Sequence, residues 1–316
     1  MAGINAQAIK ELRERTQAGM SDCKSALVEA DGDMDKAVEI ILKKGLAKSA
    51  KRASASATEG EIRASVSADR RRATMVEVNI QTDFAARNDA FRLFVGDVLS
   101  AAEQAPEGAD IGQQLVGGKA ISEIATELTA RIGEKIVARR WDRVSIPEGK
   151  HGLAHAYVHL GGKIGVILSV ETDTAEVAAH AEVVKFIDDT AMQIAAMAPI
   201  ALRVEEIGDD LKAKQKDIFE AQLREDPKPK PESAWPKIIE GKFNKWYSEV
   251  VLLKQESVEA ASRGMSGQTI DMLREAAGKA AGGTVTITRF VRYERGEGIA
   301  KKEDDFAAEV AKMAGT

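Results

Sequence analysis

The sequence predicts an α+β protein. Three observations carry this expectation: three short helical patterns over residues 4–50, a strand–turn–strand–helix unit that occurs twice over residues 60–104 and 150–198, and a paired-helix pattern over about 207–253 ahead of a late strand.

Taken in order, Ile9 and Leu12 mark a first helix. Ser21 or Asp22 can cap a second that carries Ala26, Leu27 and Ala30, and Asp33 or Asp35 can cap a third with Val38, Ile41 and Leu42 inward. Ala18, Gly19 and Met20 form the loop between the first two. Residues 47–59 hold Ala, Ser, Lys and Arg with almost no large apolar group, so this stretch reads as a linker, placed at 51–59, or as the frayed end of the third helix, and residues 1–50 are expected to move relative to the rest. Residues 60–146 contain the first unit, a helical segment near 120–133 and a strand near 135–146. Residues 147–292 contain the second unit, the paired helices, a helix near 268–281 and a strand over 284–291. In the pair, Ile239, Phe243, Trp246, Val250 and Leu253 recur at coiled-coil spacing, and the Pro-rich run 226–231 breaks the helix, so the pattern reads as an antiparallel hairpin with arms of ~20–25 Å. Residues 293–316 form a last module. Asp304 can cap a helix there, with Phe306, Val310 and Met313 in one stripe. A helix that short needs a docking surface, on this chain or another.

One stretch stands apart from the periodic patterns. Val76, Val78 and Ile80 alternate as a strand, and Phe91, Phe94, Val95 and Val98 share a helix face after Asn88 or Asp89. Phe84 lies on the corner between them, in Thr82-Asp83-Phe84, and belongs to neither set. Its ring either closes the local core or is offered to a partner. At an offset of 90 positions the second unit carries Thr174 there, and a ring needed for packing is expected in both units, which favours contact.

Bulk composition narrows the function classes. A net charge of −5, a pI near 5.6 and 4% aromatic residues argue against direct nucleic-acid binding. One cysteine, Cys23, permits no intrachain disulfide, so the chain reads as cytoplasmic, and no apolar run is long enough for a membrane span. His151, His155 and His159 are four apart, but their segment reads as a strand, where such residues stand ~13 Å apart and cannot share an ion. Gly296-Glu297-Gly298 lacks the third glycine of a dinucleotide fingerprint. No carboxylate pair or nucleophile constellation stands out, so a binding protein without substrate chemistry, cofactor or metal is expected.

Four blocks resemble the bacterial elongation factor Ts family: Leu12 to Leu27, Thr82-Asp83-Phe84-Ala85-Ala86-Arg87-Asn88, Ile238-Ile239-Glu240-Gly241-Lys242, and Gly296-Glu297-Gly298-Ile299 with Asp305 to Val310. The resemblance implies an N-terminal ubiquitin-associated-like domain, a core of two related α+β subdomains, a protruding helical hairpin and a C-terminal helix. It implies guanine-nucleotide exchange on elongation factor Tu, in its GDP-bound and nucleotide-free forms. Asp83 and Phe84, flanked by Thr82 and Arg87, would reach the partner's magnesium and phosphate side. Gly19, Met20 and Asp22 would grip a helix of its G domain, His159 a distal domain, and Phe306 and Val310 the G domain again. A homodimer through the hairpin is a further expectation. Gln17 and Ser21 depart from the family's usual residues in the first block. A rival reading from another class is an adaptor or chaperone that binds partner helices through residues 1–50.

Overall fold

A computed structural model describes residues 5–16, 18–52, 55–226, 228 and 230–300. Helices α1 (Ala6–Thr16), α2 (Met20–Glu29) and α3 (Met34–Arg52) pack around Leu12, Cys23, Ala26, Leu27, Ala37 and Ile41. Asp33 caps α3 through the amides of Asp35 and Lys36. Helix α2 differs from the expected start: Gly19 is its N-cap, with no side-chain cap, so Ser21 and Asp22 lie inside its first turn. Helix α3 runs through Arg52, so the start of residues 47–59 is the end of the third helix, the other reading open to it, in keeping with Lys, Ala and Arg as good helix formers. Residues 55–58 are held too: Lys135 Nζ donates to the Ala55 carbonyl, Ser56 Oγ to that of Ala300, and Ala57 is buried.

Strands β1 (Glu59–Val66) and β2 (Arg72–Ile80) lead through α4 (Asp83–Ala86) into α5 (Asp89–Gln104). A two-residue ladder, β3 (Leu115–Val116) with β4 (Lys119–Ala120), precedes α6 (Ile121–Ile132) and β5 (Ile136–Ser145). The motif then recurs as β6 (His151–His159), β7 (Ile164–Thr172), α7 (Ala175–Ala179) and α8 (Ala181–Met197). A hairpin of α9 (Asp209–Arg224) and α10 (Trp235–Val250) follows, then α11 (Val258–Ser262), α12 (Ile270–Ala281) and β8 (Val285–Glu294). The fold is α+β, with antiparallel sheets β1-β2-β5 and β6-β7-β8.

The centre strands β2 and β7 explain the layering. Val76, Val78 and Ile80 face α5 and α6, and Val166, Leu168 and Val170 face α8 and α12. The opposite faces meet each other through Ile62, Met75, Ala154 and Ile167. Alternation therefore sends the side chains of Ala73–Ile80 and Val166–Val170 into covered layers. Gly165 permits the close approach, since a Cβ there would lie 2.5 Å from Ile62 Cγ2 and 2.6 Å from Met75 Sδ. The sheets run head to tail: Ile62 N donates to Gly162 O at 2.9 Å, and Ala154 N donates to Arg70 O at 2.7 Å. The turn of each half thus lies beside the corner of the other.

In the hairpin, Phe219 meets Phe243 edge to face with centroids 5.2 Å apart, and Arg224 lies over Trp235. The coiled-coil spacing overreaches at its end. Helix α10 stops at Val250, and Leu253 packs with the β7 core instead. No residue of α10 is fully buried, because a two-helix arm has only one partner to cover it.

Candidate functional site

The corner after β2 is rigidly tied. Thr82 caps α4, its Oγ1 accepting from Ala85 N at 3.2 Å. Glu134 holds the same residue twice, accepting from Thr82 N at 2.9 Å and Thr82 Oγ1 at 2.8 Å. Gln81 Oε1 accepts from Lys135 N at 2.8 Å, so two residues of the corner are fixed to the α6–β5 connection. Arg87 Nη2 donates to Asp83 Oδ2 at 3.2 Å, and Asn88 caps α5. Ala85 and Ala86 pack inward, whereas Phe84 is 83% exposed. Of the two roles open to this ring, closing the local core is the one the structure rejects.

The second half is a control, once its frame is corrected. The halves superpose in sequence at an offset of 92, not 90. At that offset Gly60 meets Gly152, the cap Thr82 meets Thr174, the cap Asn88 meets His180, and Phe94 meets Phe186. The bulges after Glu77 and Ser169 also coincide. Phe84 therefore corresponds to Glu176, an exposed carboxylate, and not to Thr174. An apolar ring occupies a position that the other half gives to solvent.

The β6–β7 turn comes to the same end. Leu160, 67% exposed, is followed by Gly161 and Gly162, and a Cβ on Gly162 would lie 2.7 Å from Glu61 Cγ. Between this turn and the Phe84 corner lies a cleft of about 700 Å³, walled by Arg63, Arg87, Arg92 and Arg295. His159 sits at the turn with Nδ1 2.7 Å from Tyr157 Oη. The histidines of this strand differ in surroundings. His155 turns toward α8, with Nε2 3.2 Å from Asp188 Oδ1. Burial pushes its pKa down, Asp188 opposes this, and Arg70 adds to the lowering.

The α1–α2 loop adjoins this edge through α6. Arg131 Nε, in the last turn of α6, donates to the Thr16 carbonyl at 3.1 Å, and Glu134 three residues later grips Thr82. The small helices contact the body through this bond and through packing of α3 on α6. Met20, at the start of α2, is 54% exposed, beside Gly19 and Asp22. Thr82, Asp83, Phe84, Arg87 and His159 thus gather at one end, with Gly19, Met20 and Asp22 linked to it. Phe306 and Val310 lie outside the described residues. Arg131 and Glu134 carry no sequence signal beyond charge near a helix end. Among the described residues no group of three or more His, Cys, Asp and Glu could hold a metal ion, and no helix is long and apolar enough to cross a membrane.

A family model described as Elongation factor TS matches residues 81–297, beginning one residue before Thr82. The chain belongs to the elongation factor Ts family. It is 42% identical over 315 residues to elongation factor Ts of Clostridium perfringens (Type A), covering 99% of each chain. It is 46% identical over 312 residues to that of a Nitratiruptor species, covering 98% of each. It is 42% identical over 316 residues to that of Symbiobacterium thermophilum, covering 100% of this chain and 99% of the relative. The family match spans the corner, the hairpin and the part of the cleft beyond residue 81, and the relatives extend the likeness over β1, with Arg63, and the α1–α3 helices.

Proposed function

We propose that this chain is a guanine-nucleotide exchange factor for elongation factor Tu, acting in the cytoplasm as a binding protein without substrate chemistry. The observation that carries the reading is Phe84, an 83% exposed ring on a corner tied at Thr82 to Glu134, inside the family-matched segment. A flexible ring would fold away on contact. A ring on a fixed corner can wedge between side chains of a partner and shift the elements that hold its magnesium and phosphates. Asp83 and Arg87 flank the wedge, and Thr82 sets its direction.

The remaining contacts hold the factors together while nucleotide leaves. In this reading residues 1–50 are a ubiquitin-associated-like domain whose Gly19, Met20 and Asp22 grip a helix of the partner's G domain. Residues 60–146 and 147–292 are paired core subdomains, the second using His159 against a distal partner domain. Residues 293–316 are a C-terminal module that returns to the G domain through Phe306 and Val310. The hairpin serves as a contact between two copies of the chain. Exchange is then negative coupling: each tenfold loss of GDP affinity caused by this protein is matched by a tenfold loss of its own affinity caused by GDP, about 1.4 kcal/mol.

Release of a fluorescent GDP from elongation factor Tu, followed by stopped flow, tests the reading. Acceleration that saturates with this protein is expected. Release that stays at its spontaneous rate at saturating protein ends it.

A further inference from the structure

Glu77 is the least expected charge in the molecule. It is 0% exposed, midway along β2, on the face that meets the other sheet. Its carboxylate accepts from Arg139 Nη1 at 3.0 Å, Arg140 Nε at 2.6 Å, Asn79 Nδ2 at 3.0 Å and the Gly296 amide at 2.8 Å. Two consecutive strand residues normally point to opposite faces. Here the β-bulge opposite Glu77 and Val78 leaves Arg139 without a register partner, so both arginines converge on one carboxylate.

The arginines do not stop at Glu77. Arg139 Nη2 donates to the Glu297 carbonyl at 2.5 Å and Arg140 Nη2 to the Glu294 carbonyl at 3.2 Å, while the Arg140 guanidinium covers the Tyr293 ring at 4.0 Å. Gly296 adopts φ 74°, and a Cβ there would lie 2.4 Å from Thr58 O, so the segment presses directly on the chain before β1. Arg295 completes the hold with Glu59 Oε2 at 2.5 Å. Glu77 is thus the hub that binds Glu294–Glu297, the chain leaving β8, to the strand that ends at the Phe84 corner.

The second half again supplies the control. The same bulge occurs after Ser169, where Thr288 is the extra residue, and there the pair is neutral: Ser169 Oγ lies 2.7 Å from Thr288 Oγ1. The bulge does not require a buried charge cluster. The charged version occurs only where a chain segment must be held across both sheets. Buried ion pairs cost desolvation and are better retained as specifiers of geometry than as sources of stability.

We infer that Glu77 is a positioning residue for exchange: with Arg139 and Arg140 it clamps Glu294–Glu297 and so fixes the direction in which the chain leaves β8 relative to Phe84. The inference rests on the exchange reading above. Its effect belongs to affinity, because a misdirected second contact loses effective concentration while the wedge itself is untouched.

The test uses the full chain carrying Glu77→Ser with Arg139→Thr, the pair that the other half uses at the same bulge, and Glu77→Gln as a second variant. Hydrogen exchange at the Gly296 amide is expected to quicken in both. In fluorescent-GDP release, the half-saturating concentration is expected to rise on the order of tenfold with the maximal rate kept within twofold. In a Phe306→Ala, Val310→Ala background, the same substitutions are expected to add nothing. An equal rise in both backgrounds overturns the inference, since Glu77 would then act on the fold in general. So does an unchanged half-saturating concentration, or a fall in the maximal rate alone. If the unmodified protein releases no nucleotide, the exchange reading fails instead, and the amide measurement still reports on the clamp.

Discussion

Phe84→Ala is expected to separate stability from function, because the ring is exposed on a capped corner. Full burial of a phenylalanine side chain is worth about 1.5–3 kcal/mol. The ring is 83% exposed, so most of that has not been spent on folding: roughly 1.2–2.5 kcal/mol is left for a partner to gain by covering it. At 1.4 kcal/mol per factor of ten this corresponds to a roughly 7- to 60-fold slower release at saturation. Folding should barely respond. Alanine favours a helical turn by a few tenths of a kcal/mol, Thr82 keeps its cap, and surface changes of this kind stay within about 0.5 kcal/mol. The measurements are chemical denaturation of the free protein and stopped-flow release with elongation factor Tu. A loss of about 2 kcal/mol or more in stability, with release unaltered, would show that the ring supports its own core and makes no contact that matters for exchange.

Other expectations follow from the same contacts. Gly165→Ala forces a methyl against Ile62 and Met75 between the sheets, and overpacking of this kind should cost about 1–3 kcal/mol in denaturation experiments. Glu134→Ala removes both bonds to Thr82, so amides of Thr82–Ala86 should exchange faster and nucleotide release should slow while the global melting temperature changes little. His155 has a pKa below its ordinary 6.5 because burial disfavours the cation. The unfolded chain therefore takes up the proton first, and stability should fall as pH drops below about 6.5 toward the folded value. His155→Gln should flatten that part of the melting-temperature profile, and an unchanged slope would remove His155 as its source. Burial would raise the Glu77 pKa, but the Gly296 amide, Asn79 and Arg140 outweigh it and hold the carboxyl below its ordinary 4.5. Its contribution is present above the unfolded value and is lost as pH falls through the folded one. Acid unfolding of Glu77→Gln should therefore show a shallower pH dependence in that range.

Much of the fold was legible because periodicity reports burial. The doubled strand–turn–strand–helix unit, the paired helices and the late strand all show as apolar spacing, and the caps at Asn88 and Asp33 are chemically obvious. The letters alone misplace the offset between the halves by two positions, because the matching pair Thr-Asp outweighs what no letter shows. The true frame is set by caps, by the bulge and by two glycines, Gly60 and Gly152, each of whose Cβ would strike a carbonyl at 2.1 Å. Glu77 was illegible for a related reason. A polar residue alternating with valines reads as facing water, and only the second sheet reveals that both faces of β2 are covered. The corner itself was readable in Phe84, whose size fits neither neighbouring pattern. Its bracing was not, because Glu134 and Arg131 become neighbours of Thr82 and Thr16 only through the path of α6.

Antiparallel stacking of the duplicated halves has a mechanical consequence. A wedge transmits strain only if it yields less than the object it enters. Where Gly162 lies against Glu61 and Ile62, the neighbouring half backs the strands that carry the ring, so in the proposed wedge role recoil would be absorbed by a whole folded layer rather than by one loop.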